Sequence, residues 1–213
     1  MDKIKTVGVI IKTMEYREND RIATIYTDAC GKISCLARGA KKNKSKLSSC
    51  TNDFVYGEFI FYKGRNMYYI EDSSVIEPFR QFSEDLIKIA YASYFCELID
   101  ISCVYEEENN GLFKEFITAL YLLKLDIMNI ETLSRIFEIK IIHLNGFVIE
   151  YLETSSNGLK NVIKYISNNP MKSLYKLKIE GIIKDELDII LNRIIKSNFI
   201  RTPKSLELLN YIK

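Results

Sequence analysis

The hydrophobic periodicity of this chain changes once, at Pro78. Before it, apolar residues alternate with polar ones in short runs broken by turn signals; after it they recur at helical spacing. Strands gathered ahead of helices imply an α+β chain of more than one domain, with a β-barrel first and an α-helical domain behind it. Residues 7–13 form a β-branched run, and residues 21–27 form another after the polar stretch EYREND. Cys30, Gly31 and Lys32 turn the chain into 33–38, where Ile33, Cys35 and Ala37 alternate with Lys32, Ser34 and Arg38. Residues 54–63 and 67–72 flank Lys63-Gly64-Arg65-Asn66, whose Gly and Asn suit a hairpin. Five strands in so short a span predict a small antiparallel barrel.

Beyond Pro78, Ser83 followed by Glu84 and Asp85 reads as an N-cap with acids in the first turn. Leu86, Ile89, Ala90, Tyr94 and Ile101 continue as a helix over 84–104. EEENN at 106–110 is a polar break. Leu112, Phe116 and Leu120 mark a second helix, and Leu133, Ile136, Phe137, Lys140 and Leu144 a third, closed by Gly146. After the loop at 154–158, residues 159–168 and 184–198 have helical spacing, with Pro170 between them. The expected division is 1–79 as the barrel, 80–149 as a helical bundle, and 150–213 as a C-terminal segment packed on the bundle.

With 213 residues, 47% of them hydrophobic, the chain can bury a core without staples. The five cysteines include no CxxC pair, and MDKIKTVGVIIKT lacks the apolar run of a signal peptide, so a reduced, cytoplasmic protein is expected. No stretch has the length and apolarity of a membrane span. The net charge of +2 conceals blocks of +4 over 1–80, −8 over 81–156 and +6 over 157–213. The acidic middle is a poor surface for a polyanion.

No residue set supports catalysis. His143 has no nucleophile or carboxylate partner in view and reads as structural. The contiguous Glu106, Glu107 and Glu108 are not spaced to converge on a cation, and read as a solvated loop. Cys30, Cys35, Cys50, Cys96 and Cys103 lack zinc-site spacing and read as small buried hydrophobes. There is no phosphate-binding glycine loop. No enzyme, no cofactor and no bound metal is therefore expected.

The run RGAKKNKSKL at 38–47 is different. It holds Arg38, Lys41, Lys42, Lys44 and Lys46 without one acid, a density that attracts a phosphate backbone. Charge alone fits a solvated, mobile loop equally well. Tyr56, Tyr62, Tyr68 and Tyr69 on the neighbouring strands favour binding, since aromatic rings beside cations stack bases in OB-type barrels.

Residues 7–47 resemble the N-terminal region of the bacterial RecO family of DNA repair and recombination mediators. The likeness rests on Glu18, Asn19 and Asp20, on Thr27 and Gly31, on 37–40 with Gly39, and on Ser45. It continues in Tyr94, Glu97 and Leu98, in LNGF at 144–147, and weakly in the stretch 194–200. The resemblance implies an OB-fold DNA-binding domain followed by a helical domain. It also implies a non-catalytic protein of the RecF pathway, active after DNA damage. Such a protein binds single- and double-stranded DNA, anneals complementary strands, and works with RecR and the C-terminal tail of SSB to help load RecA. A cytoplasmic, nucleoid-associated location follows. Many members of the family carry a four-cysteine zinc module after LNGF, whereas residues 150–178 here contain no cysteine. Packing through Val162, Ile163 and Tyr165 is expected to hold that stretch instead.

The expected DNA-binding face comprises Lys32, Arg38, Lys41, Lys42, Lys44 and Lys46, with Arg17, Arg21 and Arg65, and Tyr68 as stacking partner. Arg135, Lys140 and the basic C-terminal region are candidates for the rim of an SSB-tail groove. The competing reading is an RNA-binding or protein-interaction adaptor built on a small basic barrel.

Overall fold

The computed structural model describes residues 3–65, 67–149, 155–206 and 209; Asn66 and Thr154, which the sequence places in loops, lie outside them. Five strands precede the main helices: β1 (Lys3–Tyr16), β2 (Asp20–Thr27), β3 (Gly31–Ala37), β4 (Tyr56–Lys63) and β5 (Tyr68–Glu77). They close in the order β1-β2-β3-β5-β4, with β4 returning to β1. β3 and β5 pair in parallel, Cys35 opposite Tyr68 and Leu36 opposite Tyr69, while the other strand pairs are antiparallel. A short helix, α1 (Lys46–Cys50), lies between β3 and β4. This is the OB-fold arrangement, followed by an α-helical region.

Alternation fills the barrel: Ile10, Ile25, Ile33, Cys35, Phe59, Phe61, Tyr68 and Ile70 point inward and are buried. A bulge between Ile10 and Lys12 bends β1, so that Ile10 bonds the backbone of Phe54 and Val55. Gly31 at the β2–β3 turn has φ +61, and a Cβ there would lie 1.9 Å from the Glu107 carbonyl oxygen.

The helices are α2 (Leu86–Ser102), α3 (Asn110–Leu125), α4 (Ile130–Leu144), α5 (Asn157–Asn168) and α6 (Gly181–Asn198). Asp85, not Ser83, caps α2; its Oδ1 accepts from the backbone of Ile87 at 2.9 Å and Lys88 at 3.1 Å. Ser83 belongs to a preceding 3₁₀ turn. Gly146, with φ +76, closes α4 as expected. Helix α4 is central, packing on α2, α5 and α6, with Phe137 against Phe95 and Phe116.

By contacts the chain forms two units, Met1–Glu84 with Cys103–Phe113, and Asp85–Ser102 with Lys114–Lys213. Boundaries at 79 and 149 therefore differ from the division found. The EEENN stretch goes with the barrel: Glu106 N–H donates to the Lys32 carbonyl at 2.9 Å, and Tyr26 packs on Phe113. Residues 155–178 join the second unit through Leu159, Ile163, Ile166, Met171 and Leu174. Of the residues expected to hold that stretch, Ile163 is buried, Val162 is half-buried, and Tyr165 is 52% exposed because its helical angle turns it to solvent.

Candidate nucleic-acid interface

The basic run leaves β3 at Arg38 and crosses the turn of the β1–β2 hairpin before entering α1. Its path is pinned from that hairpin. Asp20 Oδ1 accepts the Gly39 N–H at 2.8 Å, and the Asn19 carbonyl accepts the Lys41 N–H at 3.0 Å. Gly39 has φ +67, so the left-handed turn, not looseness, is what requires glycine there. Asn19 and Asp20 thus fix the loop, a role the sequence does not reveal because the partners are some 20 residues apart.

Around the loop, Arg17, Arg38, Lys42 and Lys44 face a concavity of about 1000 Å³ that Tyr16, Met67 and Tyr69 also line. Lys46 is exposed at the start of α1. Arg65 lies in an adjoining cleft of about 640 Å³ with Lys3, Tyr62, Tyr69 and Glu71. Among the described residues none of these six cations, Lys46 and Arg65 included, makes an ion pair. The Arg38 guanidinium lies 4.7 Å from the Tyr69 ring centroid, which leaves its edge N–H groups available.

Four residues expected on this face are placed otherwise. Lys32 is 2% exposed: the 103–113 segment covers it, with Lys32 Nζ 4.4 Å from the Tyr105 ring centroid. Its outward position on β3 is correct, but a distant segment caps it. Tyr68 is 6% exposed and packs edge-on against Phe61 in the barrel core, because alternation along β5 turns it inward and Tyr69 outward. Burial pushes its hydroxyl pKa up. Arg21 reaches Asn52 Oδ1 at 2.9 Å and so ties β2 to the loop after α1. Lys41 pairs with Glu15 at 2.8 Å, and the hydrogen bond from Lys41 lowers the carboxyl pKa of Glu15.

Of the four tyrosines that the sequence offers for stacking, Tyr62 and Tyr69, and not Tyr68, form an outward aromatic pair. They are opposed in the β4–β5 register, with rings 5.3 Å apart and 11° from parallel. The available signal was alternation: Phe61 and Ile70 belong inside, so Tyr62 and Tyr69 belong outside.

Elsewhere, Glu106 pairs with Lys63, so the acidic triple is not simply a solvated loop. Cys35, Cys50, Cys96 and Cys103 are buried free thiols and Cys30 is partly buried; burial raises the Cys30 and Cys35 pKa values, which suits packing and not nucleophilic chemistry. His143 is exposed in the last turn of α4, not packed in the core. Arg135 is paired with Glu138 and Asp188 yet still lines a concavity of about 370 Å³ together with Lys196, Lys204 and Leu206, whereas Lys140 is buried against Glu115. A concavity of about 830 Å³ in the second unit is lined by Ile127, Met128, Tyr175 and Leu177, with Lys176, Lys178 and Lys184 among its polar groups.

The family model described as "Recombination protein O N terminal" matches residues 1–79, and "Recombination protein O C terminal" matches residues 83–158. The chain is 37% identical to the DNA repair protein RecO of Clostridium acetobutylicum, over all of this chain and 99% of the relative. Identity is again 37% to the RecO protein of Clostridium perfringens strain 13, with full coverage of both chains. It is 30% to that of Caldicellulosiruptor bescii, over all of this chain and 85% of the relative. The first alignment spans 245 positions against 213 residues here, so that relative carries residues with no counterpart in this chain.

Proposed function

The chain belongs to the RecO family of DNA repair proteins, and from that premise we propose that it is a DNA-binding recombination mediator without a catalytic step. It binds single- and double-stranded DNA, anneals complementary strands, and with RecR helps load RecA on SSB-coated DNA in the cytoplasm. The observation that carries this reading is the convergence of Arg17, Arg38, Lys42 and Lys44 on one concavity beside an outward tyrosine. Cations held there by a pinned loop neutralise phosphates and release counterions without regard to sequence. Two strands whose charge is screened on one rim can approach and pair. No helix among the described residues is long and apolar enough to cross a membrane.

The test is fluorescence-monitored annealing of complementary oligonucleotides, one coated with cognate SSB, as a function of salt. Acceleration should fall as salt rises. The combined variant Arg38→Glu, Lys42→Glu and Lys44→Glu should abolish it and lower the slope of log affinity against log salt by roughly 2 for single strands. Retained annealing in that variant would remove this surface from the mechanism.

For the SSB tail, which is acidic and apolar, the fitting concavity is the one with Tyr175, Leu177, Lys176 and Lys178. A tail peptide should bind the native chain and lose affinity in Lys176→Glu/Lys178→Glu. Unchanged affinity in that variant would exclude this groove.

A further inference from the structure

The two outward tyrosines of the barrel are not equivalent. Tyr69 sits on β5, between β3 and β4 in the sheet. Arg38, at the end of β3, covers it from one side at 4.7 Å, and Tyr62 of β4 stacks on it from the other at 5.3 Å. The edge of Tyr69 is also closed, since a Cβ on Gly64 would fall 2.4 Å from its ring. With both faces occupied, Tyr69 has no surface left on which to stack a base.

Tyr62 is the end of this column. The next strand beyond it is β1, where Lys3 stands opposite in the register; its ammonium pairs with Glu71 of β5 at 2.7 Å, so its side chain passes Tyr62 on the intervening strand. Among the described residues no second ring or cation stacks on Tyr62. The cleft of about 640 Å³ at its side holds Arg65, an exposed cation without an ion-pair partner among the described residues. A half-buried aromatic ring stacked from behind by Tyr69, with no second ring or cation over it among the described residues and an unpaired cation at its side, matches what an unpaired base and its phosphate require.

We infer that Tyr62 is a stacking platform for one unpaired nucleobase, with Tyr69 and Arg38 as the pillar behind it and Arg65 at the adjoining phosphate. The inference rests on the DNA-binding reading and adds to it a preference for single strands. Bases in a duplex are covered on both faces by their neighbours, so a duplex can use the basic concavity but not this platform. Stacking a base here adds affinity without adding charge.

The experiment compares wild type, Tyr62→Phe and Tyr62→Ala in the full chain, titrated against a single-stranded oligonucleotide containing 2-aminopurine and against the matching duplex. Wild type and Tyr62→Phe should quench the 2-aminopurine signal and bind alike, since stacking does not need the hydroxyl. Tyr62→Ala should lose roughly tenfold in single-strand affinity and most of the quenching, with an unchanged salt slope and unchanged duplex affinity. The retained duplex affinity shows that the barrel is intact. Equal loss on both substrates, or no loss on either, overturns the platform. If that happens while the Arg38, Lys42 and Lys44 reversal still weakens both substrates, DNA binding stands and only the platform falls; if wild type binds neither substrate, both fall.

Discussion

Lys140 carries its charge into a site where it is 3% exposed. Its ammonium faces Glu115 at 3.3 Å and donates to the carbonyls of Ser167 at 3.3 Å and Asn169 at 2.5 Å, which end α5. Glu115 in turn accepts the Met171 N–H at 3.0 Å. One buried pair thus fastens residues 167–171 to α3 and α4, in a stretch where the resemblance to the family would put a zinc module. Lys140→Ala strands Glu115 and two carbonyls, and should cost about 3–5 kcal/mol in urea unfolding; Lys140→Met with Glu115→Gln should cost less. Glu97 plays a similar part for residues 201–205. Burial alone would raise its pKa, but donation from the hydroxyl and N–H of Ser205, from Arg201 and from the Lys204 N–H outweighs it and holds the value at about 2. That contribution to stability is complete above the ordinary value of 4.5 and is lost as pH falls toward 2. Glu97→Gln should therefore flatten the acid limb of a stability–pH curve between those limits. Neither role is readable in the sequence, where Lys140 looks like any cation on a helix; its partners lie on α3 and beyond α5.

At the level of strands and helices, the sequence carries most of the pattern and loses what comes from afar. The barrel and the third helix with its Gly146 cap follow from local periodicity. Tyr68 and Tyr69 are the same residue type at adjacent positions, and only the inward requirement of Ile70 tells them apart. Lys32 alternates outward as expected, yet Tyr105 arrives from more than 70 positions away to cover it. The acid that caps α2 lies two positions past the serine that composition favours. The β2–β3 turn gives a direct check of the close approach by that covering segment. Gly31→Ala places a side chain at φ +61 and 1.9 Å from the Glu107 oxygen. It should destabilise the protein by more than the roughly 1–3 kcal/mol of backbone strain alone, read as a fall in Tm.

The chain as a whole is balanced between a barrel with free cations on one rim and a helical unit, with the acidic 106–108 turn assigned to the barrel. The charge blocks of +4, −8 and +6 thus do not map onto the two units, because part of the acidic block lies in the barrel unit, against Lys63. A fragment ending at Glu84 lacks Phe113 over Tyr26 and Tyr105 over Lys32. It should bind an apolar dye such as ANS far more strongly than the intact protein does, and equal dye binding would show that 103–113 is dispensable to the barrel. Because Cys103–Phe113 is spelled between α2 and the body of α3, the coding information for the barrel is interrupted. No single uninterrupted cassette of the gene encodes either unit. Exchange of gene segments between lineages must therefore hand on both units together, or deliver a barrel with one end uncovered.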